Sequence, residues 1–275
     1  MGLFDKKYCD ICGDKIKLLG NRKLSDGNCC KACASKLSPW FSERKQSTVE
    51  EIKEQLAYRE ANKEKVAAFH TTLTYGAASS KLYLDEDAKK FLITSAKNFQ
   101  DANPDVVKFS DITGCRVDIS HSRSEITVDG PEHTTIHYSP AQYEDSYNFH
   151  VVISVNNPYF NEMRFPLNSS EVTITPEIRT ATSGMPRPIH PPKDGEKPEF
   201  PPIRVTSSNT PDPMSVTEYA RYADMGEEIK AALLETRAQA RAGAAPKTAK
   251  ICPCCGASTI PDDNGCCEYC GGAVG

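Results

Sequence analysis

Cys9-Asp10-Ile11-Cys12-Gly13 with Cys30-Lys31-Ala32-Cys33, and Cys252-Pro253-Cys254-Cys255-Gly256 with Cys267-Glu268-Tyr269-Cys270-Gly271, decide how this chain of 275 residues is read. A Cys-x-x-Cys turn aims two sulfurs at one point, and a second such turn completes a tetrahedron around one soft divalent metal. The paired doublets are separated by 17 and 11 residues, near the spacing of small zinc folds. The pattern predicts two structural Zn2+ ions per chain. Cys9, Cys12, Cys30 and Cys33 hold one, and Cys252, Cys255, Cys267 and Cys270 hold the other. With four sulfur ligands, no position stays open for a reactive water.

Disulfides and redox dithiols are the competing readings. The start, Met1-Gly2-Leu3-Phe4-Asp5-Lys6-Lys7, lacks an apolar run of signal-peptide length, and no stretch is long and apolar enough for a bilayer span. A reducing cytoplasm is therefore expected, where paired cysteines favour metal. Thioredoxin-like chemistry needs one doublet in a βαβ setting rather than two facing doublets. Cys29, Cys254 and Cys266 stand beside ligands and fall outside the tetrads, so ligand choice could slip by one, Cys29 replacing Cys30 for example. Cys115 lies in an apolar strand-like stretch and reads as a small core residue.

The twelve cysteines sit in a chain of formal charge −4, with 19 prolines and 39% hydrophobic residues. Two metal-bound tetrathiolates would take the charge to about −8. The charge is uneven. Residues 1–45 carry ten Lys/Arg against five Asp/Glu, whereas residues 75–180 carry nine against fifteen. An acidic chain is a poor general nucleic-acid binder, although the first segment alone is basic.

Six segments follow. Residues 1–45 form a four-cysteine module with a short hairpin between its doublets and a short helix from Cys30, stopped by Ser38-Pro39; metal supplies the folding energy such a small unit lacks. Trp40 and Phe41 read as a lid on its core rather than an exposed hook. Residues 46–73 contain a helix with a Ser47-x-x-Glu50 capping box and an apolar stripe of Val49, Ile52, Leu56, Val66 and Phe69, a half-buried spacer. Residues 74–180 read as mostly β, with a hairpin of Lys81–Asp85 and Phe91–Thr94 around an acidic turn at Asp85-Glu86-Asp87 and a long strand Tyr147–Val155. One helix near the end of this unit, or none, is expected. Residues 181–213, with nine prolines, read as an extended linker. Residues 214–243 form a spacer helix capped by Ser215-x-x-Glu218 and stopped by Gly243-Ala244-Ala245-Pro246. Residues 251–275 are two knuckles joined by Pro261-Asp262-Asp263-Asn264-Gly265, a hairpin turn signal. The fold class is thus an α+β multidomain chain: an N-terminal zinc module with four cysteine ligands, a central mostly-β sandwich or partly open barrel, and a C-terminal helix with a zinc ribbon.

No catalytic constellation emerges. A phosphate loop and a Gly-x-Ser-x-Gly elbow are both lacking. His121, His133, His137 and His150 read as surface residues, since His133 and His137 have no acidic third ligand nearby.

Cys9-Asp-Ile-Cys12-Gly, Leu18-Leu19-Gly20, Asp26-Gly27, Cys30-x-x-Cys33 and Leu37-Ser38-Pro39 resemble a bacterial family filed as domain of unknown function 4428, over roughly residues 8–42. The middle unit, with Tyr83-Leu84-Asp85 and Asp111-Ile112, is similar to the pleckstrin-homology-like β-domains that accompany it, and the tail resembles small bacterial zinc ribbons. The resemblance implies metal-binding ends around a β-domain and no activity. The expectation is a cytoplasmic, non-enzymatic adaptor with a protein partner. The alternative is a nucleic-acid-associated regulator acting through Lys6, Lys7, Lys15, Lys17, Arg22, Lys23 and Lys31, whose plainer reading is a solvated surface.

Overall fold

The computed structural model describes residues 7–17, 19–181, 184–192, 195, 197–244, 249–260 and 266–274. Strands β1 (Asn21–Lys23) and β2 (Asn28–Cys30) pair antiparallel, Asn21 opposite Cys30, and lead directly into the single-turn helix α1 (Lys31–Ala34). A hairpin between the doublets and a helix after Cys30 are both present, but the second strand runs into Cys30 itself and the helix ends at Ala34, before Ser38-Pro39; Leu18 and residues 1–6, Lys6 among them, lie outside the described residues.

Helix α2 (Val49–Ala67) opens on a reciprocal capping box, but between Thr48 and Glu51, one residue later than Ser47 and Glu50. Ser47 is buried and its hydroxyl donates to the Glu43 carbonyl instead. Asp26 also accepts the Val49 N–H at 2.8 Å, so the cysteine module itself caps the helix. The buried stripe also differs from the expected one. It runs Ile52, Gln55, Arg59, Asn62 and Val66, at alternating spacings of three and four, with polar residues at its centre. Ile52 enters the module core with Leu24, Cys29 and Leu37, while Val66 packs with Phe69, Leu92 and Val106. The helix therefore glues the module to the β-region rather than spacing it away. The lid reading of the aromatics fits this arrangement. Phe41 rests on the module core and Trp40 on the main core, and Tyr159 meets Phe41 edge-on at 6.4 Å and Tyr58 at 5.0 Å.

Strands β3 (Leu73–Tyr75), β4 (Lys81–Asp85) and β5 (Lys90–Thr94), the four-residue helix α3 (Phe99–Ala102) and β6 (Val107–Lys108) follow, the strands forming a half-barrel antiparallel sheet in sequence order. The β4–β5 hairpin matches expectation. Asp85 is buried and its carboxylate accepts the N–H groups of His70 and Ala88, so it builds the turn. Helix α3 falls in the middle of the β-unit rather than near its end; Asn98 caps its first turn and Asn103 closes it in a left-handed conformation.

The second sheet is built on two very long strands, β7 (Ile112–Asp129) and β8 (Thr135–Val155), paired from Ile112↔Val155 to Asp129↔Thr135. Strands β9 (Glu162–Pro166) and β10 (Val172–Ile174) line the inner half of β8; β11 (Glu177–Thr180) pairs with β12 (Ile203–Asn209), which joins β8 in parallel at Tyr138 and Ser139. Part of the stretch read as a proline-rich linker is thus a strand. Prolines need only avoid ladder N–H positions, and Ile203 to Asn209 contains none.

Helix α4 (Thr217–Ala244) lies across the sheets rather than standing off as a spacer. Its Tyr222, Ile229, Leu233 and Ala240 are buried in one core with Leu82, Leu84, Phe91 and Ile93 of the first sheet and Phe149, Val151, Ile153 and Phe165 of the second. A Cβ on Gly226 would stand 2.9 Å from Val117 and 3.4 Å from Leu167, so the glycine sets the helix-to-sheet approach. The expected cap is not formed: the Ser215 hydroxyl donates to the Asp212 carbonyl in a 3-10 turn before the helix. The helix runs through Ala244; the expected stop at Ala245-Pro246 and the Pro261–Gly265 turn lie outside the described residues. Strands β13 (Lys250–Ile251) and β14 (Ser258–Thr259) belong to the last module. No described helix is long and apolar enough to cross a membrane.

Candidate metal centres

Three of the four doublets fold into the same turn. The N–H of Cys9 donates to the Asp14 carbonyl and that of Gly13 to Cys9; Cys252 repeats this with Ala257 and Gly256, and Cys267 with Gly272 and Gly271. The turn forces its glycine into the left-handed region, with φ of 79° at Gly13, 71° at Gly256 and 69° at Gly271. The fourth doublet, Cys30 and Cys33, sits instead on the first turn of α1, where Cys30 Sγ accepts the Cys33 N–H at 3.3 Å. The N-terminal centre thus combines one knuckle with one helix start, and the C-terminal centre two knuckles.

These turns gather the sulfurs. In each tetrad, Cys9, Cys12, Cys30 and Cys33 or Cys252, Cys255, Cys267 and Cys270, the Sγ atoms all lie within 4.8 Å of one another. Cys12 and Cys30 are 3.8 Å apart, Cys252 and Cys270 3.6 Å, Cys255 and Cys267 3.7 Å. A tetrahedron with Zn–S bonds of about 2.3 Å has edges of about 3.8 Å. A disulfide needs about 2.05 Å. The spacing fits a shared metal and fits no disulfide.

The electrostatics point the same way. Burial pushes the Cys9 thiol up, but the backbone N–H groups around it, including that of Cys30 at 3.2 Å, outweigh burial and bring it to about 6. Backbone donors at Cys255 and Cys254 hold Cys252 at about 6 as well. Burial and neighbouring sulfurs push Cys33 well above its ordinary value, and the sulfurs of Cys255 and Cys252 outweigh the Gly272 N–H to drive Cys270 to about 12. Four thiolates cannot share so small a space unless a cation compensates them.

Cys29, Cys254 and Cys266 lie outside both tetrads. Cys29 is fully buried, its Sγ pointing to the Cys30 carbonyl, and burial with the nearby Cys9 raises it to about 11. Cys254 is exposed, and Cys266 faces Ala273 through a backbone bridge. Strand alternation on β2 turns Cys29 and Cys30 to opposite faces, and it is Cys30 that joins the other three sulfurs. Cys115 is half-buried at the edge of the main core, and burial raises it to about 11.

Residues 7–55 match the family model described as a domain of unknown function, DUF4428. The DUF4428 stretch contains the first tetrad and runs into α2 as far as Gln55, taking in Ile52, whose side chain is part of the module core. No curated protein and no solved structure matches the chain.

The histidines belong elsewhere. His121 Nε2 lies 2.6 Å from Asp145, which Arg123 also grips through Nε at 2.8 Å and Nη2 at 3.1 Å. His137 Nδ1 meets Glu125 at 2.8 Å. These cross-strand pairs hold the polar arm of β7 and β8 together. His150 is lowered by burial, then by Arg164. His133 and His137 join no ligand group among the described residues.

Proposed function

We propose that this chain is a non-enzymatic, zinc-stabilised interaction protein, with Cys9, Cys12, Cys30 and Cys33 binding one Zn2+ and Cys252, Cys255, Cys267 and Cys270 binding the other. The sulfur spacing near 3.8 Å carries this reading. Zn2+ bound at each centre would neutralise part of the thiolate charge and contribute roughly 10–16 kcal/mol to the folding of its module. The closed, all-sulfur donor set favours structure over catalysis. In this reading the two β-sheets and α4 are a pleckstrin-homology-like platform for a protein partner, and the last module is a zinc ribbon. Thiolate centres of this kind suit a reducing cytoplasm.

Elemental analysis of purified protein tests the metal, with two zinc ions per chain expected; one metal, none, or iron with visible colour overturns the assignment. Affinity capture from the native host, with and without nuclease, tests the role. A protein that co-purifies stoichiometrically after nuclease treatment supports it, and turnover of a substrate by the purified chain refutes it.

A further inference from the structure

The first module carries a concave basic surface, about +3 in net charge once the −2 of a zinc-bound tetrathiolate is set against its nine Lys/Arg and four Asp/Glu. One cleft of about 700 Å3 is lined by Lys15, Lys17, Arg22 and Lys31, and a second of about 570 Å3 by Arg22, Lys23, Arg44 and Lys45. Arg22 lines both. None of these seven cations forms an ion pair among the described residues, whose salt bridges all use side chains from Glu50 onward. Two guanidinium groups are nevertheless fixed. Arg22 Nη1 donates to the carbonyls of Leu19 and Asn21, and Arg44 Nη1 to that of Lys23 at 2.9 Å. Neutral backbone acceptors hold these groups without cancelling their charge, and their other N–H donors remain for an anion.

The charge is local. Residues 7–45 hold nine Lys/Arg and four Asp/Glu of the chain's 33 and 37, leaving 24 against 33 elsewhere. Asp10 and Asp26 are taken up by the N–H groups of Asn28 and Val49, and the larger cleft has one carboxylate in its lining, Asp14, the smaller none. Leu19, 90% exposed, stands in the wall of the larger cleft.

The geometry points to a nucleic-acid strand lying across β1, with successive phosphates in the two clefts and Arg22 between them. A rod of regularly spaced phosphodiesters can fill two adjacent clefts at once, whereas a lipid surface would meet only their rims. Binding is indifferent to sequence. Asn21 Nδ2 donates to Asn28 Oδ1 at 2.8 Å, and apart from Asp14 and the apolar Ile16, Leu19 and Leu24 the remaining lining is lysine, arginine or short side chains, which grip phosphate rather than read base edges. This inference names the partner class of the zinc-stabilised module and rests on that module being folded around its metal.

Fluorescence anisotropy of the zinc-loaded full chain with a labelled random duplex and a labelled single strand tests it. Four to six phosphate contacts give a log–log salt slope of roughly −4 to −5, so affinity falls roughly 10²–10³-fold between about 50 and about 200 mM salt. Arg22→Glu/Arg44→Glu should lose at least about tenfold in affinity and flatten the slope, while Lys197→Glu, outside the module, changes binding less than about twofold. Should the arginine variant lose zinc, Lys15→Glu/Lys17→Glu, at exposed positions, makes the same test. A chain with two zinc ions that binds neither probe at low salt overturns the inference and leaves the zinc reading standing. So does unchanged affinity in the folded variants, or binding to phosphatidylserine vesicles without binding to nucleic acid.

Discussion

Arg59 and Asp105 form an ion pair 2.7 Å long in which both side chains are almost wholly shielded from water. Around it, Ser38 donates to the second Asp105 oxygen, Arg59 reaches the carbonyls of Lys36 and Asn103, and Asn62 bonds Asn103, Pro104 and Val106. The cysteine module, α2 and the strand entering the first sheet thus meet in one polar knot. Burial pushes the Asp105 carboxyl up, and Arg59 pulls it back. Arg59→Met leaves a buried carboxylate without its counter-ion, and about 3–5 kcal/mol of stability should be lost. Urea unfolding measures this. Arg59→Met/Asp105→Leu should recover part of the loss, and a single variant within about 0.5 kcal/mol of the parent contradicts the knot's role.

Ligand and spectator cysteines should separate cleanly. Cys12→Ser or Cys33→Ser should bring the zinc count from two to one, and Cys255→Ser or Cys270→Ser should remove the other ion. Cys29→Ser, Cys254→Ser and Cys266→Ser should each retain both. Elemental analysis reads the counts, and loss of zinc from Cys29→Ser would mean the β2 facing is wrong.

At Gly226, helix propensity and packing disagree. Alanine gains roughly 0.8–1 kcal/mol within a helix. Its Cβ, however, would press on Val117 at 2.9 and 3.0 Å, an overpacking that costs roughly 1–3 kcal/mol. Packing should win, so Gly226→Ala lowers the thermal midpoint followed by circular dichroism. A raised midpoint would show that α4 stands further from β7.

Asp145 sets an acid limit on the β7–β8 arm. Hydrogen bonds from Arg123 and then His121 hold its carboxyl at about 2, below the ordinary 3.8. Because the folded carboxyl titrates lower than the unfolded one, its stabilisation is complete above about pH 4 and disappears as pH falls through about 2. Its partners are solvent-exposed, so the contribution is on the order of 1 kcal/mol. The unfolding free energy of Asp145→Asn should lie below that of the parent near neutrality and converge with it in acid. A constant gap across that range would remove Asp145 as the titrating group.

Limited proteolysis distinguishes a tethered from a packed C-terminal helix. A broad-specificity protease should nick the exposed stretch around Met185 and Ile189, yet the two pieces should elute together, because β12 pairs with β8 and α4 fills the core. Separation of the fragments under native conditions would restore the spacer view.

The metal tetrads were legible because their chemistry is written in spacing alone. In three of the four doublets, two sulfurs three residues apart and a following glycine specify the turn, while Cys30 and Cys33 use a helix start instead. The β4–β5 hairpin was legible for a similar reason, its apolar alternation being local. The arm of β7 and β8 was not, since most of its outer residues face water and carry no apolar signal; its pairing rests on partners such as Arg123 and Asp145, 22 residues apart. The buried stripe of α2 was misread because Arg59 and Asn62 look like solvent-facing residues until Asp105 and Asn103 arrive from elsewhere in the chain. The packing of α4 was hidden by the prolines before it, which suggested distance where the chain only detours.

That detour has a consequence for how the chain is made. The first module and α2 leave the ribosome early, but two of the acceptors for Arg59, Asn103 and Asp105, follow more than forty residues later, and Ile229 and Leu233 of α4 are translated later still. At roughly 5–20 residues per second, the two sheets wait several seconds for the helix that covers their shared interior. During that interval Phe149, Val151 and Phe165 lack their last neighbour, and transiently exposed apolar surface of this kind is what makes a nascent chain prone to aggregation.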